Sequence, residues 1–390
     1  MTVTDLSGPD LASGILPETL IRTLDRLAPR LAARAAEHDR SGTIATETLA
    51  ALREAGFLTL ALPATHGGKA IGLGEITAII GRIARDDPST ALILAMHYLQ
   101  TGAIARGKEW SPAVKDEIFA GVVTDGALIN ALRVEPELGT PARGGLPATV
   151  LRREGDRFLL TGRKIFSTGS TALRWGVVWS RTDEADPRVG PVLARLDQPG
   201  VHIEESWDQL GMRATASHTV IFEDAEIPER HIGISAAAAD AQAISLASWH
   251  AVVIAALYDG IARAARDWLL HYLHERVPAN LGAPLASLPR FHVLLGEIDG
   301  LLLSNRALID RALLRERSGA PGQAEPGLIK HLVTENAIEA VGKAVAAIGN
   351  PGLSRNNPLE RHYRDVLCGR IHTPQGDSVM TAAGRSALGL

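Results

Sequence analysis

From Leu16 to His38 apolar positions recur at helical spacing with charges between them, which predicts an amphipathic helix. Pro17 suits its first turn. Thr46 to Ala55 repeats the pattern and ends at Gly56, a favourable helix C-terminus. The stretch Pro63-Ala-Thr-His-Gly-Gly68 reads as a loop. Gly74 to Ala84 and Thr90 to Ala105 are two further helices, and Asp86-Asp87-Pro88-Ser89 between them breaks the chain and caps the second. The period changes near Gly121. From Gly144 to Ile227 short apolar runs alternate with turn residues. Val150-Leu151 and Phe158-Leu159-Leu160 flank Gly155-Asp156, a hairpin signal. Five or more such strands predict a small antiparallel sandwich or barrel. From Ala236 helical spacing returns, over Leu246 to Arg276, Leu288 to Arg317 and Pro326 to Ile348, with a last helix from about Asn357. Ser318 to Pro326 is the one flexible-looking segment.

The fold class is therefore mainly α with a central β domain. The boundaries fall at 1–122 for an N-terminal helical domain, 123–233 for a middle β domain and 234–390 for a C-terminal helical bundle, each of ordinary domain size.

Composition narrows the function classes. Hydrophobic residues are 46% and charged residues 22%, with a formal net charge of −4, so neither a nucleic-acid partner nor an anionic membrane surface is expected. One cysteine, Cys368, excludes an internal disulfide and a Cys-rich metal site. The polar, acidic N-terminus is not a signal peptide, and the apolar stretches are broken by His97, His250 or Asp259 before they reach membrane-spanning length. A cytoplasmic protein fits. No HExxH, Walker, GxSxG or Rossmann fingerprint is present, and no metal site is expected. His271 and His274 share one side of a charged helical turn, which reads as a solvated face, and His66 reads as a surface-loop residue.

Five words then occur in order along nearly the whole chain: LREAGFLTLALPATHGG from Leu52, ALRVEPELGT from Ala131, LTGRKIFSTGS from Leu160, LDQPGVHIEESWDQLGMRATASHTVIFEDAEIP from Leu196, and PLERHYRD from Pro358. Together they resemble the acyl-CoA dehydrogenase superfamily. The resemblance implies an N-terminal helical domain, a β-barrel or sandwich middle domain, a C-terminal four-helix bundle and a homotetramer. It also implies a flavin held between the β domain and the bundle, with Val134, Gly139 and Thr140 along it and Phe166, Ser167 and Thr168 beside its ring.

The same resemblance exposes a gap. Dehydrogenation of a CoA thioester needs a carboxylate base. One family position for it lies eight residues past the aspartate of the RD pair, which here is Thr373, preceded by His372. The other lies on the long bundle helix ten residues before a glycine. Matching Gly260 puts His250 there, followed by Ala251 where the family's arginine would stand. The flavin words are kept and the acyl-CoA words are lost.

This pattern resembles the two-component flavin monooxygenases of the superfamily, such as dibenzothiophene monooxygenase. Those enzymes take reduced flavin from a separate reductase and form a flavin hydroperoxide with O2. The resemblance implies His372 and His97 as donors at the catalytic edge and His250 in the pocket, acting on a small or medium uncharged organic substrate. Packing explains His97 on its apolar helix as well as catalysis does, and His250 could be a satisfied core histidine. Arg276 stands where the dehydrogenases place an arginine on the ADP half of FAD, but the phenylalanine and glutamine that accompany it are absent, so FMN is favoured over FAD. Two other readings stay open: an acyl-CoA dehydrogenase with His250 as a non-standard base, and a flavin-binding protein without catalysis.

Overall fold

The computed structural model describes residue 11 and residues 14–138, 145–234, 240–319 and 325–390, with the backbone alone for 240–245. Among the described residues five α-helices come first: α1 (Glu18–Ser41), α2 (Thr46–Glu54), α3 (Leu73–Ala84), α4 (Pro88–Arg106) and α5 (Pro112–Asp125). Asp87 caps α4 by accepting from the Thr90 amide, as the sequence predicts. Gly56 takes the left-handed conformation just past α2.

Seven strands follow among the described residues: β1 (Leu128–Leu132), β2 (Val150–Glu154), β3 (Arg157–Lys164), β4 (Leu173–Thr182), β5 (Val189–Arg195), β6 (Val201–Glu204) and β7 (Thr219–Glu226). They form one sheet in the order β1-β4-β2-β3-β7-β6, with β5 on the other side of β4. The predicted hairpin is present, with Glu154 opposite Arg157 across Gly155-Asp156. The antiparallel sandwich or barrel is not. The sheet is open and mixed, because β1 and β2 both run parallel to β4. Alternating burial identifies strands but not their partners. Parallel pairing needs a long connection, and the β2–β3 hairpin lying between β1 and β4 supplies it.

The bundle comprises α6 (Asp240–Glu275), α7 (Pro289–Arg317), α8 (Glu325–Ile348), α9 (Leu359–Leu367) and α10 (Gly376–Ala387). From Ala251 to Ala262 every residue of α6 is buried, which makes it the central helix. Asp259 is buried there with Arg263 at 2.6 Å and Asn305 at 3.0 Å as partners. Helix α3 crosses α6 in backbone contact. A Cβ at Gly260 would collide with the Gly81 carbonyl, so two glycines fix the depth of α6. The expected single last helix is two. Gly369 and Pro374 interrupt it, and residues 368–375 turn back against α6 and α8 instead.

Candidate functional site

One wall of the site is the end of β3. Glu135 and Lys164 form a fully buried ion pair at 2.6 Å. Glu135 also accepts from the amides of Ala148 and Thr149, and Lys164 from its other side donates to the Trp179 carbonyl. Buried charges with their hydrogen bonds satisfied are costly to disturb, so this pair anchors the crossing of the 134–135 segment over β3. Val134 bridges Ile165 just beside it.

Beyond the anchor, the backbone places Phe166 in the left-handed region at φ 57° and leaves it 54% exposed. Ser167 and Thr168 are buried directly behind it. The Thr168 carbonyl accepts from the Asn130 amide, and its hydroxyl accepts from Ser217. An open aromatic face held by strained backbone, with hydroxyls and strand-end peptide groups at its edge, is a fitting surface for a flat polar-rimmed ring. The residues present therefore fit a flavin. Gly139 and Thr140, predicted along it, lie outside the described residues.

A chain of contacts joins this wall to the bundle. Phe166 meets Trp207 edge-on at 6.2 Å. The Trp207 indole donates to the Met212 carbonyl, and the Met212 amide donates to Asp365 at 2.6 Å on α9. Gly211 packs on the Arg364 backbone so closely that a Cβ there would overlap its carbonyl. Asp365 is buried, which pushes its carboxyl up to about 7. It is thus committed to holding the 207–212 loop. Asp377, the other tail carboxylate, is exposed in the first turn of α10.

The opposite edge is built from α6, α8 and the turn after α9. The Tyr258 hydroxyl is 2.7 Å from His372 Nδ1. Lys330, buried on α8, donates to three carbonyls of that turn: Gly369 at 2.6 Å, His372 at 2.7 Å and Pro374 at 3.1 Å. Burial lowers its pKa to about 8. His250 lies close enough to perturb His372, beside the Thr373 backbone. Burial, and then the neighbouring Lys330, hold His250 near 4; burial, His250 and Lys330 hold His372 near 3. Both imidazoles are neutral at neutral pH. The charged side chains that act on them are the cations Lys330 and Arg133, with no carboxylate among the described groups.

The structure thus brings His250 and His372 together. His97 is elsewhere. It is fully buried on α4, with Nε2 on the Leu58 carbonyl at 2.8 Å and Nδ1 without a partner among the described residues. Its helix reaches the flavin wall one turn earlier, where Ile93 packs on Gly169. Arg276 is exposed just past α6. His66 ends a short 3-10 turn, 2.8 Å from Asp116. His271 is exposed with Glu275 at 3.0 Å. No metal-holding group of His, Cys, Asp and Glu occurs among the described residues. Tyr258, Lys330 and Asn130 were missed in the sequence. The available signal was a lone lysine inside GLIKHLV and a tyrosine inside IAALYDG, each a polar tip in a buried helix.

Three family models match the chain in order: the acyl-CoA dehydrogenase N-terminal domain over 19–115, the middle domain over 133–225 and the C-terminal domain over 252–375. The chain belongs to the acyl-CoA dehydrogenase superfamily. Within it, YdbM of Bacillus subtilis (strain 168), an acyl-CoA dehydrogenase by description, is 33% identical over 92% of this chain and 93% of its own length. The structure of KijD3 with FMN and dTDP-3-amino-2,3,6-trideoxy-4-keto-3-methyl-D-glucose has a TM-score of 0.82 and 27% identity, covering 100% of this chain and 97% of that one. FMN-bound TdsC from Paenibacillus sp. A11-2 shares the fold, with a TM-score of 0.83 at 22% identity over 94% and 97% of the two chains. The superfamily fold is common ground among these proteins, and two of them are solved with FMN. No helix among the described residues is long and apolar enough to cross a membrane.

Proposed function

We propose that this member of the superfamily is the oxygenase component of a two-component flavin monooxygenase. One observation carries the reading: the catalytic edge holds two neutral imidazoles beside a tyrosine and a lysine, and among the described residues no carboxylate acts on either imidazole. Removal of a proton next to a thioester carbonyl needs a base whose pKa lies near the working pH. His250, held near 4, is too weak a base for that role. This weighs against the second reading, a dehydrogenase served by His250, which YdbM's description favours.

When bound, a reduced flavin would supply the electrons with which O2 is activated. Val134, Phe166, Ser167 and Thr168 would hold it, with Phe166 covering one face of the ring. Tyr258 donates to His372 Nδ1 in this reading, so the other ring nitrogen of His372 carries the proton. That N–H is a donor which does not ionise near neutral pH. His250 accepts from or orients the substrate. His97, whose buried Nδ1 has no partner among the described residues, lies one turn further along α4 than the Ile93 contact with Gly169 and has no part in this reading's donor set. Water exclusion by the packed bundle would protect a reactive oxygen species from loss. FMN is favoured by the FMN-bound relatives, and a separate reductase and a homotetrameric assembly follow from the same reading.

The deciding experiment is anaerobic. Protein loaded with chemically reduced FMN, then with FAD, is mixed with oxygenated buffer while the flavin spectrum is followed. A transient species that outlives the one in free solution supports the oxygenase. Direct reoxidation, together with bleaching of the oxidised enzyme by acyl-CoA thioesters, would replace it with the dehydrogenase.

A further inference from the structure

Away from the flavin wall, α1, α3, α6 and the approach to α9 enclose a groove of about 690 Å³. Its floor is made of small residues, Ala32, Ala36 and Ala264, with Trp268 at one side. Charges line it unevenly. Asp25 and Asp86 are both engaged by Arg82, at 3.2 and 2.7 Å. Asp267 is engaged by Arg85, and by Arg266 at 3.3 Å. The acidic residues are therefore already compensated.

Arg361 is different. It is 7% exposed, yet its guanidinium forms no hydrogen bond or ion pair with a described residue, and its buried Nε is without an acceptor. It feels the carboxylates of Asp87 and Asp365 only from beyond ion-pair distance. Next to it, His362 is 3% exposed, and its Nδ1 has no partner among the described residues. Buried polar groups are almost always satisfied, and an arginine carries five donors. Both side chains line the groove.

The backbone adds to this. Asn357 accepts from the Leu359 amide, and the next two amides of α9, those of Glu360 and Arg361, have no acceptor among the described residues. The N-terminus of α9 thus opens beside Asn356, Asn357 and Pro358 of the groove. Backbone amides and the helix dipole at such an end favour negative charge. Glu360, the carboxylate of that first turn, is drawn away onto Arg364 at 2.8 Å. Arg355, also in the lining, adds a second cation.

We infer that this groove is a binding site for a small molecule bearing an oxyanion, a phosphate or a carboxylate. The oxyanion sits between the Arg361 guanidinium and the first amides of α9. The body of the ligand lies along the alanine floor beside Trp268. The site is distinct from the flavin wall: no residue of the groove is among those that surround Phe166 or His372.

The test is thermal denaturation and tryptophan fluorescence of the full chain in a non-coordinating buffer at fixed ionic strength. Inorganic phosphate and succinate are titrated against chloride. Saturable stabilisation by one or both, beyond the chloride control, is the expected result, and which of them acts identifies the oxyanion. Arg361→Gln should weaken the midpoint at least about tenfold, as loss of a charge-assisted contact implies. Arg355→Ala, on the exposed rim, should weaken it severalfold without affecting the fold. An equal response in wild type and Arg361→Gln would overturn the inference, as would the absence of any response beyond chloride. A particle mass that falls in Arg355→Ala with no anion effect would overturn it in favour of a contact between copies of the chain.

Discussion

Tyr258 and His372 are joined at 2.7 Å, across 114 residues of sequence, by a bond that ties the buried middle of α6 to the turn leaving α9. Burial raises the Tyr258 hydroxyl well above its ordinary pKa, so it stays protonated over the physiological range. Tyr258→Phe removes that group and leaves one buried imidazole nitrogen without its partner. A loss of about 1–3 kcal/mol is expected. Product formed per reduced flavin should fall about tenfold, with flavin affinity within twofold of wild type. Equal losses in both would make the bond structural only.

Gly369 permits the same turn. A Cβ there would lie 2.5 Å from Thr334 Cγ2 and 3.1 Å from the Tyr258 ring. Gly369→Ala should displace residues 368–372, lower the melting temperature by several degrees and reduce turnover. Wild-type turnover in this variant would show that His372 does not need its observed position.

Acid should weaken the fold in a definite window. His97 is held near 4, His250 near 4 and His372 near 3, against an ordinary value of 6.5. As pH falls below about 6.5, the unfolded chain takes up protons that the folded chain refuses, so stability drops with pH until the folded values are reached. His97 alone accounts for up to about 3 kcal/mol of this between pH 6.5 and 4. His97→Gln keeps a donor for the Leu58 carbonyl and should flatten the acid limb of urea midpoints plotted against pH. An unchanged limb would place the proton uptake elsewhere.

Phe166 combines exposure with a backbone that L-residues avoid. Phe166→Gly relieves that strain and removes little buried surface, so stability should hold or rise by about 1 kcal/mol. Flavin fluorescence titration should show affinity about tenfold weaker. Retained affinity would remove Phe166 from the flavin wall.

Lys164→Met would strand Glu135 without its cation. Breaking one side of a buried pair costs about 3–5 kcal/mol. The urea midpoint should fall accordingly, and flavin binding should fail with it because Val134 rides on the same anchor. Lys164→Met with Glu135→Gln should recover part of the loss.

Much of this protein was settled by the sequence alone. Helical spacing marked α1 to α4 and the long bundle helices within a few residues, and Gly155-Asp156 marked a hairpin, because local periodicity and turn chemistry are short-range properties. The ordered words identified the superfamily, and that resemblance implies Phe166 to Thr168 as the residues beside a flavin. The same resemblance implies that His250 and Thr373 stand where carboxylates would. The tertiary structure decided the rest. Strand partners were invisible, since alternation is blind to which edge a strand joins, and a mixed sheet replaced the expected barrel. His250 and His372 come near enough to influence each other where Gly81 and Gly260 seat α6 and Lys330 gathers three carbonyls of a distant turn. Asp365, the aspartate of the RD pair, is consumed by the Met212 amide. Arg361 looked like an ordinary member of PLERHYRD, and only burial without a partner made it conspicuous. Desolvation and hydrogen-bond satisfaction depend on what surrounds a group in space, and spacing along the chain does not encode that.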